Sequence, residues 1–239
     1  EKLKPTTPSF IADVVSYFIP TTASAATQQL SPVGKQLDLG SFDLNYTADV
    51  TTVIKAKSTG GDVLRTPDSS STPSISMLLG DKGNDIIRGS SGSDLIDGGA
   101  GNDIIKAGDG DDIITGGRGS DQIWGGFGKN VFVSEKDGST DRLYISSDQY
   151  IPNPNLNNKA SNNTDGHNVD TIKSLDSFDK INILGSSTQD LTFFQTVSPS
   201  GSQGIGIYAK GTLEAIYTGG DLSIQQIRSM TTGLASGYA

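Results

Sequence analysis

Between Gly80 and Val133 a large apolar residue returns at every ninth position: Ile87, Ile96, Ile105, Ile114, Ile123 and Phe132. The stretch divides without insertion into six nine-residue units, GDKGNDIIR, GSSGSDLID, GGAGNDIIK, AGDGDDIIT, GGRGSDQIW and GGFGKNVFV. A fixed short period predicts a solenoid, in which each unit buries its apolar residue only by stacking on its neighbours. The last three residues of each unit are short and β-prone, so each unit predicts one strand with position eight turned into the core. Position seven is also apolar in most units (Ile86, Leu95, Ile104, Ile113, Val131). In a strand it faces away from position eight. An exposed apolar stripe there predicts a contact surface; ordinary strand composition, covered in part by the 146–168 loop, is the alternative.

Outside the repeats the pattern predicts shorter elements. Phe10, Val14, Tyr17 and Phe18 share one side of a short amphipathic helix that Pro20 ends. A signal peptide with Ala23-Ser24-Ala25 as its small-residue site is the alternative, and Asp13 speaks against it. The chain opens on Glu1 rather than Met, which reads as a processed chain or a fragment. Leu37/Leu39, Phe42/Leu44/Tyr46 and Val50/Val53/Ile54 predict short strands. Residues 67–76 (PDSSSTPSIS) have linker composition, and Met77-Leu78-Leu79 predicts a strand capping the first repeat. After the repeats come a turn at 136–139, a strand from Arg142 to Ile145 and a long polar loop over 146–168. Strands at 191–197, 204–209 and 212–217 predict a β-meander. Ser223 and Gln226 form a capping box before a helix at 224–230. The predicted divisions are thus an N-terminal arm or short helix (1–32), an N-terminal β segment and linker (33–76), the repeats (77–133) and a C-terminal capping β region (134–239).

The polar positions of the repeat carry its chemistry. Position four is Gly83, Gly92, Gly101, Gly110, Gly119 and Gly128, and position one is Gly except at Ala107. Glycine permits the positive φ of tight turns and lets carbonyls approach an ion. Position six is Asp85, Asp94, Asp103, Asp112 and Asp121, then Asn130. Carboxylate is a hard oxygen ligand that suits Ca²⁺. Two units make one coil, so turns fall on alternate edges: Asp85, Asp103 and Asp121 on one, Asp94, Asp112 and Asn130 on the other. Ions between same-edge neighbours, at 85/103, 103/121, 94/112 and 112/130, predict roughly four sites. Without ions the acid rows repel; with ions they bind each edge together.

This pattern, G-G-x-G-x-D-x-U-x with U a large apolar residue, resembles the RTX (repeats-in-toxin) calcium-binding β-roll. The resemblance covers residues 80–133 and implies Ca²⁺ as the cofactor, held by the position-six acids and the glycine-rich turns. The departures are Asp81, Ser90 and Gly108 after position one, Ala107 and Asn130. Asn130 is a neutral amide and predicts the weakest site. Residues 170–184 resemble the D-x-I…F…D-K-I-x-L segment that follows many RTX rolls as a cap; an uncapped end would leave Phe132 and a sheet edge open. The implied fold class is all-β: a parallel β-roll solenoid flanked by an N-terminal β segment and a C-terminal β-rich cap with one short helix. Proteins of this kind are typically exported by type I secretion with an uncleaved C-terminal signal, and the small, polar 229–239 stretch is compatible with that.

Composition narrows the partners. The hydrophobic fraction of 33% fits a solenoid with polar β regions, and the net charge of −9 argues against nucleic acid and anionic membranes. About four calcium ions would neutralise nearly all of that charge. No cysteine is present, so nothing depends on redox state, and no apolar run is long enough to span a membrane. No catalytic constellation emerges. His167 is the only histidine and sits in a polar loop; His-Glu-x-x-His and Gly-x-Ser-x-Gly are absent. Asp137 and Asp141 flank a turn that could take another cation but reads as a plain turn. Asp176 and Asp179 read as turn and cap residues. The expected function is non-catalytic: a calcium-dependent structural module of a secreted surface or assembly protein, in a surface layer, an adhesin or a virion appendage. The expected partners are calcium ions and copies of itself or a larger assembly, outside the cell or on a virion. The alternative is the non-catalytic tail of a secreted enzyme such as an epimerase or hydrolase.

Overall fold

A computed structural model describes residues 50–56, 60–66, 75–147, 169–198 and 201–235. The predicted helix over 10–19, the strands over 37–46, most of the 67–76 linker, most of the 146–168 loop and His167 lie outside these residues.

The described strands are β1 (Val50–Lys55), β2 (Val63–Arg65), β3 (Ile75–Leu79), β4 (Ile86–Arg88), β5 (Asp94–Asp97), β6 (Ile104–Asp109), β7 (Ile113–Thr115), β8 (Gln122–Phe127) and β9 (Val131–Val133). They continue with β10 (Arg142–Ser146), β11 (Asp170–Ser174), β12 (Lys180–Leu184), β13 (Leu191–Val197), β14 (Gln203–Ala209), β15 (Thr212–Tyr217) and, after helix α1 (Ile224–Met230), β16 (Thr231–Leu234). Consecutive strands of the roll alternate between two sheets. One has the order β1-β3-β5-β7-β9-β11-β15-β14-β13, the other β16-β12-β10-β8-β6-β4-β2. Pairing within the roll is parallel; only β13-β14 and β14-β15 are antiparallel, as a meander requires.

The ninefold apolar period builds the core in two columns. Leu64, Ile87, Ile105, Ile123, Leu143 and Ile181 stand in register across one sheet. Leu78, Ile96, Ile114, Phe132 and Ile172 do so across the other, and Tyr217 follows Ile172. All are at most 3% exposed. Each such burial contributes about 1.5–3 kcal/mol, available only when the neighbouring coils are present. The columns run past the repeats at both ends. β3 is therefore not the terminal strand that the Met77-Leu78-Leu79 segment predicted, because β1 pairs beyond it, Ile54 against Leu78.

At position seven the two sheets differ. Leu95, Ile113 and Val131 of the nine-stranded sheet are 2–6% exposed, whereas Ile86 of the seven-stranded sheet is 38% exposed. The apolar stripe expected from the sequence is thus buried on one sheet, and on the other it ends at polar Gln122 and Arg142.

Near the C-terminal end of the described chain, Ser223 accepts from the Gln226 backbone while the Gln226 side chain reaches back to the Ser223 N–H, completing the predicted capping box. The helix it starts is short, and Ile227 and Met230 anchor it in the core.

Candidate metal centre

The acids of position six form two ladders, one along each edge of the roll. Asp103 Oδ1 accepts the Asp85 backbone N–H at 2.7 Å, and Asp121 Oδ1 accepts that of Asp103 at 2.7 Å. On the other edge Asp112 Oδ1 accepts from Asp94 at 2.8 Å, and Asn130 Oδ1 from Asp112 at 3.2 Å. Each bond spans 18 residues, one full coil. Neighbouring side chains of position five form a second ladder in the reverse sense. Asn84 Oδ1 accepts from the Asn102 N–H, Asn102 Oδ1 from Ser120, and Asp111 Oδ1 from Lys129, each at 2.8 Å. The sequence reading gave position five no role. Its run of Asn, Ser and Asp is the signal, since short polar side chains are those that bond nearby backbone.

The glycines divide their work differently from the expectation. Position-four Gly83, Gly101, Gly110, Gly119 and Gly128 have positive φ. A Cβ on Gly101 would also lie 1.9 Å from the Gly83 carbonyl oxygen. Gly92 lacks the positive φ, and its N–H is held by Ser90 Oγ at 3.1 Å. At Gly98 and Gly116 position one needs glycine for space rather than torsion: a Cβ on Gly98 would stand 2.5 Å from Asp103 Oδ2, and one on Gly116 2.3 Å from Asp121 Oδ2, whereas the fourth unit accommodates Ala107. The carboxylates of Asp85, Asp94, Asp103 and Asp121 thus lie over the start of their own turns. The second positive φ of the unit falls at position two, at Gly99, Gly108, Gly117 and Gly126, and at Asp81 with φ 69°.

One oxygen of each ladder acid is satisfied; the other often is not. Oδ2 of Asp85, Asp103, Asp112 and Asp121 is buried without a hydrogen-bond partner. Asp94 differs because Ser90 supplies both its N–H (2.7 Å) and its hydroxyl (3.1 Å) to Oδ2. Burial pushes the Asp103 and Asp121 carboxyls up to about 7 and Asp112 up to about 9, with the adjacent ladder acids adding to the rise. Asp85 and Asp94 are raised for the same first reason. Buried, unpartnered carboxylate oxygens stacked along one edge fit a hard divalent cation, which replaces the missing partner and the missing countercharge. Among the described residues no group of three or more Asp, Glu, His or Cys side chains converges on one point. A cation here would therefore be held by one or two ladder acids and by oxygens of the glycine-rich turns, a mixed shell that Ca²⁺ accepts.

The ladders extend beyond the repeats. Asp85 Oδ1 accepts the Asp62 N–H (2.6 Å), Asp141 Oδ1 that of Asp121 (3.0 Å), Asp179 Oδ1 that of Asp141 (3.0 Å) and Asp170 Oδ1 that of Asn130 (2.7 Å). Asp141 and Asp179, expected as turn and cap residues, are thus members of the ladder, and Asp62 and Asp170, for which the repeat pattern predicts nothing, join them. Their signal is an acid two residues before a column residue: Asp62/Leu64, Asp141/Leu143, Asp170/Ile172 and Asp179/Ile181. Asp137 does not join the ladder acids; its carboxylate accepts from Gly119 and Ser139 backbone at 2.7 Å each. Asp176 accepts from the Gly138 and Phe178 backbone, as a turn residue does. At the 141/179 step Ser134 Oγ lies 2.8 and 2.9 Å from the two Oδ2 atoms. Ser134 stands where the repeat would place its position-one glycine, so a hydroxyl fills this end of the ladder. Asn130 brings a different change: its Nδ2 is buried without a partner, a donor where its companions offer an anion.

The acids' shifts set a pH dependence. With no ion bound, the raised carboxyls of Asp103, Asp121 and Asp112 are expected to keep their protons between pH 4 and about 7 in the folded chain, where the unfolded chain, with carboxyls at the ordinary 3.8, releases them. Stability therefore increases as pH falls toward 4 and is lost as pH rises through about 7 and then about 9. The chelated protein is expected to melt several degrees higher at pH 5 than at pH 8, at about 2–4 °C per kcal/mol. Calcium competes with those protons, so its stabilising effect shrinks over the same descent. Melting curves across pH in chelator check this; a melting temperature that climbs toward pH 8 contradicts it.

Comparison with known families agrees with this geometry. The family model of the RTX calcium-binding nonapeptide repeat, which describes four copies, matches residues 77–105 and again 97–132. No curated protein and no solved structure matches the chain. Proteins with such repeats are usually secreted, and no helix among the described residues is long and apolar enough to cross a membrane. This chain carries RTX calcium-binding nonapeptide repeats, and its stacked parallel strands are the β-roll that such repeats build.

Proposed function

We propose that the chain is a non-catalytic, calcium-dependent structural module of a secreted surface or assembly protein, of the kind found in surface layers, adhesins or virion appendages. The observation that carries this reading is the pair of acid ladders with buried, unpartnered Oδ2 atoms at Asp85, Asp103, Asp112 and Asp121. Such rows resist close stacking in a calcium-poor interior and stack firmly in a calcium-rich exterior, so the module becomes rigid after export. Type I secretion, which passes unfolded chains, fits this order of events. An assembling role is supported by β13, the last strand of the nine-stranded sheet, which among the described residues pairs only with β14. Phe194 and Val197 on it are 57% and 55% exposed. An open strand edge with exposed apolar side chains is a template for association.

The test is sedimentation velocity and electron microscopy of the whole chain, in calcium and in chelator. Calcium is expected to give dimers or extended assemblies, reduced by Phe194→Ser with Val197→Ser. A chain that stays monomeric in calcium at every concentration overturns the assembly reading. Turnover of polysaccharide, ester or peptide substrates by the purified chain overturns the non-catalytic one.

A further inference from the structure

The outer face of the seven-stranded sheet is unlike the rest of the molecule. Positions seven and nine of its strands β2, β4, β6, β8, β10 and β12 contain no Asp or Glu, in a chain of net charge −9. They do contain Arg65 and a further four cations, Arg88, Lys106, Arg142 and Lys180, all exposed. Arg88 stands directly beside Lys106, and Arg142 directly beside Lys180. Like charges in register on neighbouring strands are destabilising. Among the described residues none of the four takes part in an ion pair. The row of Arg88 and Lys106 continues through Trp124 and Tyr144. Those rings stack at 4.3 Å and 3°, and Lys106 Nζ lies 5.0 Å from the Trp124 ring centre. Packing between Lys106 and Tyr144 restricts the Trp124 side chain before any partner arrives, and a preorganised surface loses less entropy on binding.

We propose that this face docks an acidic polysaccharide. Two pairs of juxtaposed cations with no ion-pair partner among the described residues call for an anion, and the side-chain groups on offer are mainly donors: guanidinium, ammonium, indole N–H and phenol O–H. Carboxylates or sulfates one or two sugars apart match cations set one or more strand spacings of about 4.8 Å apart, while hydroxyls and ring oxygens meet the aromatic edges. Single-stranded nucleic acid fits less well. Trp124 is stacked on both sides, by Lys106 and by Tyr144, so a base finds no free indole face. A denser polyanion or a charged bilayer would also meet the acid ladders that border this face. The proposal names a partner for the surface module above; a chain that binds the glycan as a monomer fails the assembly reading and keeps this one.

The experiment is calorimetric titration of the calcium-loaded full chain with chondroitin sulfate and hyaluronate, and with neutral dextran, single-stranded DNA and phosphatidylglycerol vesicles for comparison. Binding to an acidic glycan and not to dextran is expected, weakening with salt. Arg88→Glu with Arg142→Glu should weaken it about tenfold or more, with calcium-dependent melting unchanged. Arg88→Gln with Arg142→Gln gives the same direction at smaller size and serves if the reversal disturbs folding. No binding to either acidic glycan, binding that ignores both variants, or tighter binding to DNA or vesicles overturns the proposal.

Discussion

Calcium added to the chelated protein near neutral pH is expected to raise its melting temperature by about 20–40 °C. Extracellular modules bind Ca²⁺ with Kd on the order of 10⁻⁴–10⁻³ M. Ion at ~100 times Kd stabilises the folded state by about 2.7 kcal/mol per site. Four sites give roughly 11 kcal/mol, comparable with the whole stability of an ordinary domain, about 5–15 kcal/mol. At about 2–4 °C per kcal/mol for a chain of this length, the stated shift follows. The structural reason lies in the ladders. The buried Oδ2 atoms of Asp85, Asp103, Asp112 and Asp121 have no hydrogen-bond partner, so without an ion each acid must be either protonated or charged beside another acid. Calcium removes both penalties at once, and the two core columns then stack without opposition. Circular dichroism with chelator followed by calcium measures this directly. A β signal and melting curve indifferent to both would remove calcium from the account of this fold.

The second large effect separates two positions on the ladders. Asp103 borders two same-edge intervals, 85/103 and 103/121, so Asp103→Ala removes a ligand from two sites. In calcium the loss is about 5 kcal/mol from the two sites. A further 1–3 kcal/mol comes from the buried Asp85 N–H, which loses its acceptor at 2.7 Å. The variant should melt about 10–30 °C below the parent in calcium. In chelator the difference should be much smaller, because removing a buried acid also removes repulsion. Asn130→Asp should change sign with conditions. In calcium it gains a carboxylate where Nδ2 is now an unpartnered donor, so calcium affinity and melting temperature rise. In chelator it adds one more buried acid and melts lower. Calorimetry of both variants with and without calcium decides the matter. If Asp103→Ala melts like the parent in calcium while Asn130→Asp dominates, the assignment of ions to same-edge neighbours is wrong.

Much of this molecule could be read from residue order because the repeat is local and rigid in length. An apolar residue every ninth position, with no insertion from Gly80 to Val133, leaves one way to bury six side chains: coil stacking with Ile87, Ile105 and Ile123 in one column and Ile96, Ile114 and Phe132 in the other. The alternation of Asp85/Asp103/Asp121 with Asp94/Asp112/Asn130 follows from the same two-unit coil. The meander and the Ser223/Gln226 capping box were legible for the same reason: each depends on residues a few positions apart.

Long-range pairing decided the rest. Asp62, Asp141, Asp170 and Asp179 continue the ladders across irregular spacings, and only the sheet register brings Asp170 beside Asn130, 40 residues away. Spacing along the chain carries no such information once insertions break the period. The differing fate of position seven was likewise hidden, since Ile86 and Leu95 are equivalent in the repeat and only the surroundings of each sheet bury one and expose the other. The sequence by itself therefore determined the unit, its turns and its rows of acids, because those are properties of nine consecutive residues. The tertiary structure decided how far the roll extends and gathered Arg88, Lys106, Arg142 and Lys180 on one face, because both depend on which coil stacks on which.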